Sequence, residues 1–175
     1  MTGNIRPRPV RIADYDPEWP ARFSREAARI RSALGPRVLQ IEHTGSTSVP
    51  GLAAKPVIDI VLAVADSAVE DDYAPALTSA GYELCIREPG WFEHRMFQVA
   101  ATSDINLHVF SAACPEIARM VAFRDWLRIH ADDRALYAAT KRAVAQHAWN
   151  SVQDYADAKT AVIKEISARA SVPRS

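Results

Sequence analysis

The sequence predicts an α+β fold in which one helix precedes a sheet and a layer of about three helices follows it. Three observations carry this. Short runs that alternate or are rich in β-branched residues are confined to residues 38–110. From about Cys114 onward, apolar residues recur every three to four positions, and the helical runs carry no interior Gly or Pro. With 175 residues, 49% of them hydrophobic and 24% charged, the chain has the size and composition of one soluble domain. Such a domain buries about 70% of its extended-state surface without staples.

The elements follow in order. Residues 1–13, with Arg6, Arg8 and Arg11 around Pro7 and Pro9, read as an extended arm, and 14–171 as a single domain. Asp16 is placed to cap a first helix that carries Pro17 in its first turn, buries a Phe23, Ala27, Ile30, Leu34 stripe and stops at Gly35. VLQIEH reads as a strand with Leu39, Ile41 and His43 on one face. TGSTSVPGL is a polar loop, and KPVIDIVLAV a buried strand with its proline at the start. A helix is expected from Asp66 or Ser67 to Gly81, with the acidic patch Asp66–Asp72 as a solvated face. YELCIRE, RMFQVAA and INLHVF are further strands. MVAFRDWLRIH, DRALYAATKRAVAQHA and VQDYADAKTAVIKEISARA are helices.

Twenty-one basic and 21 acidic residues cancel, so no global field favours nucleic acid or an acidic membrane, and no nucleic-acid partner is expected. No run approaches the ~18–20 apolar residues of a membrane span, and the N-terminus lacks a secretory signal's apolar run. A cytoplasmic address and no membrane association are expected. Cys85 and Cys114 lack metal-ligand spacing and suit a reducing compartment.

Chemistry concentrates between Glu42 and Ile60. Gly45 permits close backbone approach to a ligand, and Ser46 with its neighbouring amides can donate to phosphate oxygens. Asp59 interrupts an apolar strand, where an unpaired carboxylate is costly. Its partner is open on this reading: a divalent cation, a basic side chain such as Lys55, or backbone amides. His43 alternates onto the apolar face and reads as a hydrogen-bonded core residue. Trp19, Trp126 and Trp149 read as core cover, and His94, His130 and His147 show no convergent partners in sequence. Trp91, in a turn, is open to covering a core edge or stacking on a base.

Residues 42–60 resemble the signature of the GrpB family: glutamate-histidine, Gly-Ser-Thr-Ser-Val-Pro-Gly-Leu, then Lys-Pro-x-x-Asp. Asp-Pro-x-Trp-Pro at 16–20, Leu-His-Val at 107–109, FRDWLRIH at 123–130, YAATK at 137–141 and DYADAK at 154–159 extend the resemblance over about residues 10–170. It implies a nucleotidyltransferase-like mixed sheet. It further implies a turn of Gly45, Ser46, Thr47 and Ser48 cradling the phosphates of a nucleoside triphosphate such as ATP. Asp59 then matches the first metal carboxylate, Asp59 and His108 are the implied catalytic residues, and Glu42, Asp59 and His108 the implied ligands of Mg²⁺ or Mn²⁺, with Zn²⁺ a further option. The implied reaction is attack of a small-molecule acceptor on the α-phosphorus.

The chain departs from the superfamily pattern where a second carboxylate is expected two residues after Asp59: that position is Val61. Asn106 likewise stands where family members often carry a second histidine. The alternative expectation is a non-catalytic nucleotide- or phosphate-binding module, linked to coenzyme-A metabolism because some actinobacterial members are fused to dephospho-coenzyme-A kinase. Lys55, Arg95, Arg124, Lys141 and Lys159 are the cations expected to line the cleft, each against a bland alternative of surface exposure, ion pairing or snorkelling. The expected partner is a small anionic or nucleotide ligand.

Overall fold

The computed structural model of the chain describes residues 10–146 and 152–171, with side chains described for 10–146 and 157–171. Most of the expected arm, the residues His147 and Trp149, and the side chains of Val152 and Tyr155 lie outside these.

Helix α1 (Trp19–Leu34) turns its 3.6-residue stripe inward: Trp19, Ala27, Ile30 and Leu34 are buried and Phe23 partly so. Asp16 does not cap it. Its carboxylate instead accepts the Glu18 N–H at 2.9 Å, forming the turn ahead of the helix, and Pro20 occupies the first turn. Gly35, at φ +56°, ends the helix with its N–H on the Arg31 carbonyl.

Five strands follow: β1 (Gln40–Thr44), β2 (Ile58–Val64), β3 (Tyr82–Glu88), β4 (His94–Val99) and β5 (Ile105–Ser111). They form one mixed sheet in the order β1-β2-β5-β4-β3, parallel only between β2 and β5. Leu39 falls just outside β1 and is exposed, so the inward face of that strand rests on Ile41 and His43. In place of the single helix expected over 67–81 stand a short turn of 3₁₀ helix at Glu70–Asp72 and α2 (Ala74–Ser79). The intervening Tyr73 leaves helical geometry because its side chain turns into the core, with its hydroxyl donating to the Ser67 carbonyl.

Strand alternation sends side chains to two different layers. Ile58, Ile60, Leu62, Leu107, Val109 and Phe97 face α1 and α2 in the main core. Asp59, Val61, Ala63, Asn106, His108 and Phe110 share the other face, part of which α3 (Pro115–Ile129) covers through Ile117. A third apolar cluster joins Val49 and Leu52 to Leu127, Tyr137, Val162 and Ile166, so α3, α4 (Ala131–Ala145) and α5 (Val152–Ala170) hold the Gly-Ser loop. Among the described residues no helix is long and apolar enough to cross a membrane.

Candidate functional site

The site grows from the pairing of β1, β2 and β5. Register places Asp59 beside Thr44 on one side and Asn106 on the other. Asp59 Oδ1 accepts the Asn106 side-chain N–H at 3.1 Å and lies 3.3 Å from His108 Nε2. Gly45, directly after β1, runs at φ +69° and ψ −177°, a conformation that essentially only glycine adopts. A Cβ there would lie 2.5 Å from Asp59 Oδ2, so the missing side chain also makes room for the carboxylate.

The turn Ser46–Ser48 is locked from below. Ser48 N–H returns to the Gly45 carbonyl, Thr47 Oγ1 donates to the Val57 carbonyl at 3.1 Å and meets His43 Nε2 at 3.0 Å, and Arg128 donates twice to the Ser48 carbonyl. His43 is stacked on Phe23, and burial pushes its pKa down to about 4, so it is a neutral core residue at neutral pH. Thr47 and Ser48 are buried supports of the turn, while Ser46 lines the cleft above it.

That cleft is a cavity of about 130 Å³ lined by Ser46, Thr47, Lys55, Val57, Asp59, Asn106, Lys141 and Lys159. Three lysines from three chain segments thus face one aspartate. Lys141 is 2% exposed; its Nζ is buried without a hydrogen-bond partner among the described residues and lies 4.6 Å from the centre of the Tyr137 ring. Burial, helped by the nearby Lys159 and Arg142 charges, lowers its pKa to about 7. Burial also lowers the pKa of Lys159, with Asp59 opposing and Lys55 assisting the shift. Two larger grooves lie elsewhere. The one of about 470 Å³ presents Asp66, Asp71 and Asp72, and its Arg37 is held by the carbonyls of Leu34, Ala33 and Asp72, a poor environment for phosphate.

Two expected cations are not in the cavity. Arg95 shares its face with Phe97, against α1 and α2, because it pairs with Val109 rather than with a residue of the Asp59 face. There it donates to Glu70 at 2.6 Å and to Glu93. Arg124 is buried and held by Glu42 at 2.8 Å, Asp125 at 2.8 Å and the His43 carbonyl. Glu42 is therefore the counter-ion of an arginine, and it does not line the cavity. The acidic patch is likewise more than a solvated face. Arg87 first, and then Arg95, hold the Glu70 carboxyl down to about 2. A carboxyl lowered in the fold stabilises above its ordinary value near 4.5 and loses that contribution as pH falls towards 2. Glu70→Gln is expected to make the acid side of a urea-denaturation pH profile shallower over this window.

One feature of the site has no counterpart in the sequence reading. His94 Nδ1 lies 2.6 Å from Glu88, His94 Nε2 3.0 Å from His108 Nδ1, and His108 Nε2 faces Asp59. Trp91 and Phe110 pack against the His94 ring, so Trp91 covers a core edge. Filling all three links takes three protons on four ring nitrogens, one more than two neutral imidazoles carry. Burial lowers the pKa of His94 against the pull of the Glu88 carboxylate and so disfavours that extra proton. The signal in the sequence is weak: His94 joins His108 only through the β4–β5 register, in which Met96 opposes His108.

The described residues form no ready-made metal centre. Among the described residues no group of three or more His, Cys, Asp or Glu side chains is arranged to hold a metal ion. Glu42 is tied to Arg124, Val61 is fully buried, and an amide N–H of Asn106 points at Asp59.

The mixed five-stranded sheet with its helices has a nucleotidyltransferase-like fold among its structural neighbours. The GLD-2/RNP-8 complex structure matches with a TM-score of 0.53 at 14% identity, over 86% of this chain and 58% of that one. The chain belongs to the GrpB family: the family model "GrpB protein" matches residues 9–169. GrpB from Enterococcus faecalis matches with a TM-score of 0.82 at 32% identity, covering 91% of this chain and 96% of that one. A UPF0157 protein of Halalkalibacterium halodurans is 57% identical over 170 residues, 96% of this chain and 87% of the relative. A dephospho-CoA kinase of Mycolicibacterium paratuberculosis is 31% identical over 97% of this chain, which spans 48% of that protein.

Proposed function

We propose that this GrpB-family chain binds the phosphoryl end of a small nucleotide in the cavity between β2, β5, α4 and α5. The observation that carries the reading is Lys141, a buried amine without a hydrogen-bond partner among the described residues, in a space that Lys159, Lys55 and Ser46 also line. A buried polar group without a partner is costly, and an anion is the partner that this one lacks. The cavity is smaller than the about 300–1,000 Å³ that encloses a drug-sized ligand, so it takes a phosphoryl group and leaves the nucleoside in the open cleft. Kinship with a dephospho-CoA kinase supports including coenzyme-A-related nucleotides among the ligands tested.

A second reading, nucleotidyl transfer to a small-molecule acceptor, is favoured by the Asp59–His108 pair. A carboxylate beside an imidazole is placed to accept the proton of an attacking hydroxyl. It calls for a nucleoside triphosphate such as ATP and, in the usual chemistry, a divalent ion, for which the described residues make no centre.

The two readings part at Asp59. In a thermal-shift assay, millimolar inorganic phosphate, ATP or dephospho-coenzyme A is expected to raise Tm, and Asp59→Asn is expected to retain or strengthen that shift because a like charge leaves the cavity. Metal-dependent pyrophosphate release that Asp59→Asn abolishes would establish the second reading. No shift with any of these ligands would overturn both.

A further inference from the structure

The charges around the cavity also bear on how an anion is held there, an inference that rests on the phosphoryl-binding reading. Nucleotidyl sites of metal-dependent enzymes neutralise phosphate with divalent ions gripped by carboxylates. Here the order is reversed. One aspartate, already bonded to Asn106 and His108, faces lysines from the loop before β2, from α4 and from α5. We infer that this site binds a tetrahedral oxyanion without any metal, and that binding is accompanied by uptake of a proton at Lys141, which completes the positive charge only when the anion arrives.

The physical basis is the position of Lys141 in the fold. Its ammonium form would be buried at 2% exposure with no hydrogen-bond partner among the described residues, beside the Tyr137 ring at 4.6 Å, and with the charges of Lys159 from α5 and Arg142 from its own helix disfavouring it. Lys55 and Asp59 are the other charged groups that line the cavity, and they act in opposite directions on Lys159. The neutral amine is therefore well populated near pH 7, in agreement with its lowered pKa. An oxyanion in the cavity supplies both the missing counter-charge and the missing acceptor, which favours the protonated form. Ligand and proton then bind together, and affinity falls with rising pH.

Sulfate is the suitable probe, because it carries no titrating proton of its own in this range. Calorimetric titration of the full chain with sulfate in EDTA, in buffers of different ionisation enthalpy, is expected to show one site. It should take up about half a proton per site at pH 7 and about 0.9 at pH 8, with affinity falling about fivefold between the two. Adding Mg²⁺ should change sulfate affinity less than twofold. Lys141→Arg keeps a permanent charge and is expected to bind with uptake near zero, whereas Lys141→Met should lose at least tenfold in affinity. Binding that requires Mg²⁺, a wild-type enthalpy independent of buffer, or undiminished uptake in Lys141→Arg would overturn the inference while leaving phosphoryl binding intact. Competition with ATP separates the sources of the anion. Displacement of sulfate by ATP places a nucleotide's phosphate in the site, whereas binding of sulfate and inorganic phosphate that ATP does not compete with would sink the nucleotide reading and leave the metal-free oxyanion site standing. Absence of all binding overturns both.

Discussion

Replacing Gly45 by alanine is expected to reduce phosphate affinity at least tenfold and to destabilise the chain by about 1–3 kcal/mol from backbone strain alone. Two independent costs meet at this residue. The first is conformational, since φ +69° with ψ −177° lies where side chains are not tolerated. The second is steric: the new Cβ would stand 2.5 Å from Asp59 Oδ2 and 3.0 Å from Asp59 Cβ. The carboxylate cannot withdraw freely, because Asn106 and His108 hold its other oxygen. The turn must therefore shift, carrying with it Ser46 on the cavity wall and the Thr47 and Ser48 bonds beneath. Gly51→Ala is the control. Gly51 also has positive φ, +78°, but has open space around it, so its substitution should cost stability and leave phosphate affinity within about twofold of wild type. Equilibrium urea denaturation and a phosphate titration on the two variants separate strain from damage to the site.

Lys141→Met is expected to raise stability at pH 7 by about 1–3 kcal/mol while weakening anion binding at least tenfold. A stabilising substitution that impairs binding marks a residue retained for its ligand rather than for the fold. The sign with pH comes from the lowered pKa. Between about 7 and the ordinary lysine value of 10.5 the unfolded chain binds the proton that the folded chain has released, so the contribution of Lys141 to stability improves as pH rises through this window. Below pH 7 both states are protonated and the full penalty of the buried charge is present. Lys141→Met should therefore gain most over wild type at pH 6 and least near pH 10. Methionine replaces the lysine beside the Tyr137 ring with little change of side-chain volume.

The Gly45-Ser46 turn and the isolated Asp59 are legible in the sequence because each breaks a local rule, a glycine closing a strand and a carboxylate within a β-branched run. Lys141 and Lys159 are legible as cations within apolar helical stripes, and the helices put both at the cavity. Arg95 lies away from its expected place because strand periodicity fixes which residues share a face but not which face is which. Phe97, fully buried two residues on, holds the answer. Glu42 and Arg124 each stand out in the sequence, but for separate tasks, and nothing in their separation along the chain reveals that they bind each other. The Glu88–His94–His108 chain depends on the pairing of three strands and has no local signature. Likewise the helix expected over 67–81 is divided because Tyr73 is drawn into the core, a tertiary effect that overrides propensity.

The central claim is that the lysine-lined cavity above the Gly45 turn holds a phosphoryl group. The most direct test is a titration of ¹⁵N-labelled protein with inorganic phosphate, following the backbone amides and the lysine side-chain nitrogens by NMR. The expected result is one saturating set of shifts at the Ser46 and Thr47 amides and at Nζ of Lys141 and Lys159, with the Arg37–Tyr73 groove unaffected. Saturable shifts confined to any other region, or none at millimolar phosphate, would contradict it.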